Sequence, residues 1–231
     1  MITMLNMDCM TYMATLPDKA FELAIVDPPY GIGDWTSSVN VYTSSSGKIR
    51  REKRNAKKKV SWNESYPDID YYNELIRVSQ NQIIWGANYY NSFSDLGGAV
   101  IWYKGNINPV FSQCEIASLS FQKRVDYVNI DWQAGFARRK EGETIHPCQK
   151  PVELYKWLLS RYAKPGDRIL DTHGGSGSIA IACHDLGYDL TWMELDADYY
   201  AAACKRYQTH SQQATLFSPE EIRQPVQKEF M

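Results

Sequence analysis

Along most of this chain, short apolar runs alternate with stretches whose apolar residues recur at helical spacing. That alternation predicts an α/β fold with a largely parallel sheet, since parallel neighbours need crossover connections and helices supply them. Strand character falls on residues 2–6, 23–26, 82–86, 99–103, 116–120, 168–171 and 189–193. Helical spacing covers 11–16, 69–80, 152–162, 178–186 and 197–208. Pro151 suits a first helical turn, where its missing N–H has no partner to lose. Gly187 suits the end of a helix. Asp196 suits the start of the last one, whose negative end receives Lys205 and Arg206. Two stretches break the rhythm. Residues 31–65 hold Ser, Gly and a dense basic run, and residues 122–144 form a polar insert containing Trp132 and Phe136. Loops of this length in a compact domain are functional or disordered. No internal repeat interrupts the pattern, so residues 1–231 are expected to form one domain, with a peripheral polar tail at 211–231.

Composition narrows the classes. With 44% hydrophobic and 23% charged residues, the 231-residue chain has material for a real core. No apolar run reaches the ~20 residues of a membrane helix. Met1-Ile2-Thr3-Met4 has no basic leader, and five scattered cysteines form no C-x-x-C pair. Neither a disulfide framework nor a metal site is expected, and a cytoplasmic location fits. The net charge of −2 excludes a protein that coats nucleic acid through overall basicity. Any such contact must come from a local patch. The aromatic content of 13% serves a core first, but aromatic rings are also what holds a base removed from its stack.

Asp27-Pro28-Pro29-Tyr30 follows the apolar run Phe21-Glu22-Leu23-Ala24-Ile25-Val26. A strand that ends in Asp and two prolines cannot continue into a helix, so a rigid turn is expected at the carboxyl edge of the sheet. Open α/β sheets bind ligands at that edge. The residue types suit an exocyclic amine. Its lone pair is delocalised into a heterocycle, and two acceptors on its two N–H bonds localise that pair and make the nitrogen nucleophilic. Asp27 offers a carboxylate, Pro28 keeps its carbonyl, and Tyr30 offers a ring to stack on a flipped base.

The segment 164–178 reads as turn, strand, glycine-rich loop and helix, with Asp171-Thr172-His173-Gly174-Gly175-Ser176-Gly177 as the loop. Glycines there allow close approach of backbone to a ligand. The next strand ends at Glu194, a spacing that suits a carboxylate on ribose hydroxyls. No G-K-[ST] follows, which argues against a P-loop.

Together these elements resemble the DNA amino-methyltransferases, and their order, with Asp-Pro-Pro-Tyr before the glycine loop, resembles the β class. His146-Pro147-Cys148-Gln149-Lys150-Pro151 is similar to the H-P-x-Q-K-P segment of that class, and Met4-Leu5-Asn6-Met7-Asp8-Cys9 to its opening strand. The resemblance spans residues 2–194. It implies a Rossmann-like, S-adenosylmethionine-dependent methyltransferase fold: a seven-stranded, mostly parallel sheet with one antiparallel strand and helices on both faces. It implies transfer of a methyl group from S-adenosyl-L-methionine to adenine N6 in DNA. Asp27, Pro28, Pro29 and Tyr30 would form the catalytic pocket, with Asp27 also beside the cofactor. Asp171, Gly175 and Gly177 would contact the methionine end, Glu194 the ribose, and Asp8 and Cys9 the adenine, and Ser176 would also bind the cofactor. His146, Gln149 and Lys150 would line the cofactor entrance. His173 stands where the family usually has Phe and would pack against the cofactor through a weaker apolar contact.

DNA is the implied partner. Lys48, Arg50, Arg51, Lys53, Arg54, Lys57, Lys58 and Lys59 crowd the stretch after Tyr30 and suit phosphates on a mobile loop. The insert 122–144, with Arg138 and Arg139, is the candidate reader of bases. A bacterial or phage source, a homodimer and a companion restriction endonuclease are compatible with the resemblance. The alternatives are an N4-cytosine methyltransferase, in which Ser more often precedes Pro-Pro-Tyr, and an inactive cofactor- or DNA-binding relative. An RNA substrate is a weaker reading. Pro147-Cys148 echoes enzymes that methylate cytosine C5 through a covalent cysteine, but Asp-Pro-Pro-Tyr has no task in that chemistry.

Overall fold

A computed structural model describes residues 1–32, 39–43, 49–53, 65–90, 92, 94–105, 112–132, 141 and 144–213. In chain order the elements are β1 (Ile2–Leu5), α1 (Cys9–Met13), β2 (Phe21–Val26), β3 (Val39–Thr43), β4 (Ile49–Lys53), α2 (Ile69–Val78), β5 (Ser79–Trp85) and α3 (Ala87–Tyr90). There follow β6 (Gly98–Tyr103), β7 (Cys114–Leu119), β8 (Val125–Asn129), α4 (Val152–Tyr162), β9 (Arg168–Asp171), α5 (Ser178–Leu186), β10 (Asp189–Met193) and α6 (Ala197–Ser211).

The main sheet has eight strands in the order β1-β10-β9-β2-β5-β7-β6-β8. Only β7 runs antiparallel to its neighbours β5 and β6. The fold is therefore the expected Rossmann-like α/β sheet, with eight strands where seven were expected. Strand β2 shows why both faces are covered. Leu23 and Ile25 pack with Leu154, Leu158 and Ile179 of α4 and α5, while Ala24 and Val26 pack with Met13, Tyr71 and Leu75 of α1 and α2. Side chains alternate across a strand, so a strand apolar at every position needs a helical layer on each side.

The eighth strand lies in the stretch assigned to base recognition. β8 pairs in parallel with β6 at the sheet edge and alternates exposed and buried residues from Val125 to Asn129. Asp126 occupies an inward position, which hides the strand's period from a hydrophobicity reading. Its carboxylate is satisfied there by Arg161, Arg124, Gln122 and the Tyr162 hydroxyl. The basic stretch also contains structure that was not expected: β3 and β4 pair as an antiparallel hairpin. The β-branched alternation of Val39 and Val41 is masked in sequence by the surrounding serines and lysines.

Helix α2 ends at Val78, two residues short of the expected limit, because β5 begins without a loop. Ser79 is already extended and its hydroxyl donates to the Leu75 carbonyl at 2.5 Å. Lys19 Nζ donates to the carbonyls of Ile76 and Ser79, satisfying acceptors that a helix end leaves open. Pro151 precedes the first turn of α4 rather than entering it, and the Val152 N–H donates to Glu141 Oε1 at 2.7 Å. Gly187 ends α5 with φ 68°, and Asp196 starts α6 by accepting from the N–H groups of Asp198 and Tyr199.

Candidate active site

Five neighbouring parallel strands end on one edge of the sheet, and each delivers a polar group there. Asp8 follows β1, Glu194 follows β10, the glycine loop follows β9, Asp27 follows β2, and α3 with Tyr89 and Tyr90 follows β5. The antiparallel β7 begins at the same edge and brings Glu115. A cavity of about 500 Å³ opens among them, a size typical of small-molecule sites.

Most of the residues singled out from the sequence share this cavity. Asp27, Pro28, Pro29 and Tyr30 line one part of it, and Asp8, Cys9, His173, Gly175, Ser176 and Glu194 line another. His146 and Lys150 also face it. Three do not line it. Asp171 is buried, its Oδ1 accepting the His173 N–H at 3.0 Å. Gln149 is buried, accepting the Ile145 N–H through Oε1, and its carbonyl takes the Trp132 indole N–H. Gly177 turns the chain into α5 with φ 70°, against Ala203. Of the DNA-contact candidates, Arg50, Arg51 and Lys53 lie on β4. Lys48, Arg54, Lys57, Lys58, Lys59, Arg138 and Arg139 lie outside the described residues.

The wall formed by the glycine loop and Glu194 is held mostly by main-chain groups. Glu194 accepts the Gly175 N–H through Oε2 at 2.9 Å and the Asp196 N–H through Oε1 at 2.8 Å. Asn6, just after β1, donates to the carbonyls of Glu194 and Leu195. Gly174 is required sterically: a Cβ there would lie 1.7 Å from Nε1 of the buried Trp192. Asp8 caps α1 through the Thr11 N–H at 2.9 Å. His173 is anchored by the Thr172 hydroxyl, which the Tyr71 hydroxyl meets in turn at 2.7 Å. Burial lowers His173 to about 4 and pushes Asp171 up to about 8.

The Asp27 wall is held by charge. Asp27 Oδ1 accepts the Tyr30 hydroxyl at 2.6 Å, and Oδ2 accepts Lys150 Nζ at 2.5 Å. Lys150, 4% exposed, also reaches Glu115 Oε2 at 3.1 Å. Glu115 Oε1 in turn meets Lys104 Nζ at 3.0 Å. Burial opposes ionisation of Glu115, but Lys150 and Lys104 outweigh it and hold the carboxyl down at about 2. Burial raises Asp27 above the ordinary carboxyl range, against the pull of Lys150 and with Glu115 adding to the rise. Burial would lower the Lys150 ammonium, yet Asp27 and Glu115 raise it.

The aromatic side of this wall is a tyrosine cluster. Tyr30 stacks on Tyr89 at 4.8 Å between centroids and meets Tyr90 edge-on. The Tyr90 hydroxyl donates to the Pro28 carbonyl at 2.5 Å. Gly86 leaves room for Tyr30, since a Cβ would fall 2.4 Å from its ring. Cys148 faces the cavity, but burial pushes its thiol up to about 12, with Asp27 adding to the rise. A thiol held in that form is no nucleophile. His146 is lowered to about 4, first by burial and then by Lys150, and its Nδ1 accepts the Cys148 N–H. It is neutral at pH 7.

Residues 21–205 match the family described as DNA methylase, the N6/N4 methyltransferases. The chain belongs to this family. The methylase is 24% identical to the type II methyltransferase M.HinfI of Haemophilus influenzae, over 88% of this chain and 67% of that one. It is 24% identical to the putative methylase YubD of Escherichia coli K12, over 86% and 87%. Its fold is similar to M1.HpyAVI solved with SAM (TM-score 0.54, 18% identity, 89% of this chain and all of that one). It is similar also to the cytosine-N4-specific PvuII DNA methyltransferase (TM-score 0.54, 12% identity, 96% and 89%). Asn6, Tyr89, Tyr90, Glu115 and Lys104 were not singled out from the methylase's sequence. Tyr89 and Tyr90 carry no motif, and the only trace of Glu115 and Lys104 is a charge beside each of two apolar strands.

Proposed function

We propose that this methylase transfers a methyl group from S-adenosylmethionine to the exocyclic N6 of an adenine flipped out of DNA. The observation that carries the reading is one cavity bounded by the Asp27 carboxylate and Pro28 on one part and by the glycine loop and Glu194 on the other. The residues present fit the cofactor. Glu194 accepts the Gly175 N–H through Oε2 and the Asp196 N–H through Oε1, and its two oxygens have about four acceptor sites in all, which leaves capacity for a ribose hydroxyl. Gly175, where a Cβ would meet nothing closer than His146 at 3.4 Å, lets backbone come close to the ligand, and Asp8 and Cys9 would stand beside its adenine. S-adenosylmethionine supplies an electrophilic methyl on a sulfonium.

The protein's work is then positioning and electrostatics. Asp27 accepts one N–H of the amine, and the Pro28 carbonyl accepts the other through its remaining lone pair. The nitrogen becomes more tetrahedral and its lone pair turns to the methyl. Asp27, raised by burial, receives the proton that the methylated nitrogen loses. The tyrosine cluster holds the base face.

Asp rather than Ser before Pro-Pro-Tyr favours adenine over cytosine N4. Incubation of the purified chain with S-adenosylmethionine and unmethylated DNA, followed by nucleoside mass spectrometry, tests this. The expected product is N6-methyladenine. N4-methylcytosine would transfer the same acceptor pair to the cytosine amine, and no methylated nucleoside would overturn the activity.

A further inference from the structure

Both oxygens of Asp27 already hold internal donors, Tyr30 OH on Oδ1 and Lys150 Nζ on Oδ2. A carboxylate closely paired with an ammonium is a weakened acceptor for a third donor. An incoming amine therefore competes with the protein's own groups for the acceptor it needs. Glu115 Oε2 lies 3.1 Å from Lys150 Nζ and 3.5 Å from Tyr30 OH, so one atom is within reach of both donors. We propose that Glu115 is a positioning residue for methyl transfer: its Oε2 receives Lys150 and Tyr30 as the base enters, and their shift from Asp27 frees that carboxylate for the amine. The inference rests on the function proposed above.

Three observations support the exchange. The atoms are already within hydrogen-bond range, so small rotations of Lys150 and Tyr30 suffice. Glu115 lies between two ammonium groups, Lys150 and Lys104, which hold its carboxyl down, whereas of these two Asp27 meets Lys150 alone. Lys104 sits on the opposite oxygen, Oε1, and sets how hard Glu115 pulls. All five groups stand at the sheet edge that carries the cavity, yet Glu115 and Lys104 do not line the cavity itself. Their action on the amine passes through Asp27.

The two ends of this chain of charges give opposite effects. Glu115→Gln removes the second acceptor charge and leaves Lys150 on Asp27. Single-turnover methyl transfer to unmethylated genomic DNA, with radiolabelled S-adenosylmethionine, is expected to slow about 10- to 100-fold while cofactor Kd changes less than about twofold. Glu115→Asp recovers part of the rate. Lys104→Gln leaves Glu115 less neutralised, strengthens its pull on Lys150, and raises the rate by about twofold or more. A merely structural ion network predicts that both ends slow the enzyme. A wild-type rate in E115Q, or slowing in both E115Q and K104Q, overturns the inference. If E115Q does not melt cooperatively, E115D and K104Q decide it, since the proposal requires slower and faster respectively. A wild-type chain that transfers no methyl at all overturns the functional reading, and this inference falls with it.

Discussion

The two walls of the cavity are built by different means. On one side, Glu194 and the glycine loop, the proposed cofactor wall, are fixed by main-chain N–H groups, a helix cap and one steric requirement at Gly174. On the Asp27 side, position is set by side-chain charge: one ammonium between two carboxylates, with a second ammonium behind. A main-chain cradle offers one fixed set of donors, which suits a ligand bound the same way each turnover. A charge network has alternative pairings at similar distances, which suits a base that must displace internal donors before it reacts.

The sharpest way to break that contrast is at Lys150. Lys150→Met leaves Asp27 and Glu115 facing each other without the ammonium between them. Loss of one partner of a buried pair costs about 3–5 kcal/mol. The denaturation midpoint should fall accordingly. Without the ammonium, burial and Glu115 push the Asp27 carboxyl further up, so it holds its proton instead of accepting the amine, and methyl transfer should be lost even where the fold survives. Gly174→Ala attacks the other wall. The added methyl must displace the Trp192 ring or the loop, an overpacking cost of about 1–3 kcal/mol. Titration should show cofactor binding weakened by about tenfold or more.

What was legible in the sequence follows the same division. Main-chain devices leave marks: two prolines after an acid at a strand end, glycines after another strand, an acid at the end of the next. Asp27, Gly175 and Glu194 were found in that way, along with the α/β layering. The charge network left little, because Lys150 meets Asp27 from 123 residues away and Tyr30 meets Glu115 from 85. Lys150 was read as lining the cofactor entrance on resemblance alone, whereas its nearest partner is Asp27. Strand β8 was missed for a related reason. Asp126 at an inward position makes the strand look polar, and the distant Arg161 and Tyr162, with the nearby Gln122 and Arg124, explain why it is tolerated.

The smallest expected effect concerns Asp171, behind the glycine-loop wall. Its carboxyl is held up at about 8 by burial, so the folded state favours the protonated acid. The stability this group contributes is complete below the ordinary carboxyl range and is lost as pH rises through about 8. His146 and His173, held near 4, work in the opposite direction, but only below the ordinary imidazole range of about 6.5. Between about pH 7 and 8 the melting temperature of the ligand-free protein should therefore fall, by a few degrees at most. Asp171→Asn should flatten that decline in a thermal-shift series.

The most direct test of the account separates the two walls in one protein. Asp27→Ala, prepared alongside wild type, is assayed for S-adenosylmethionine affinity by calorimetry and for single-turnover methyl transfer to unmethylated DNA. A carboxylate that activates the amine and leaves the main-chain cradle intact predicts a rate at least about a thousandfold lower with a Kd within about threefold of wild type. A transfer rate near wild type in that variant would contradict the account.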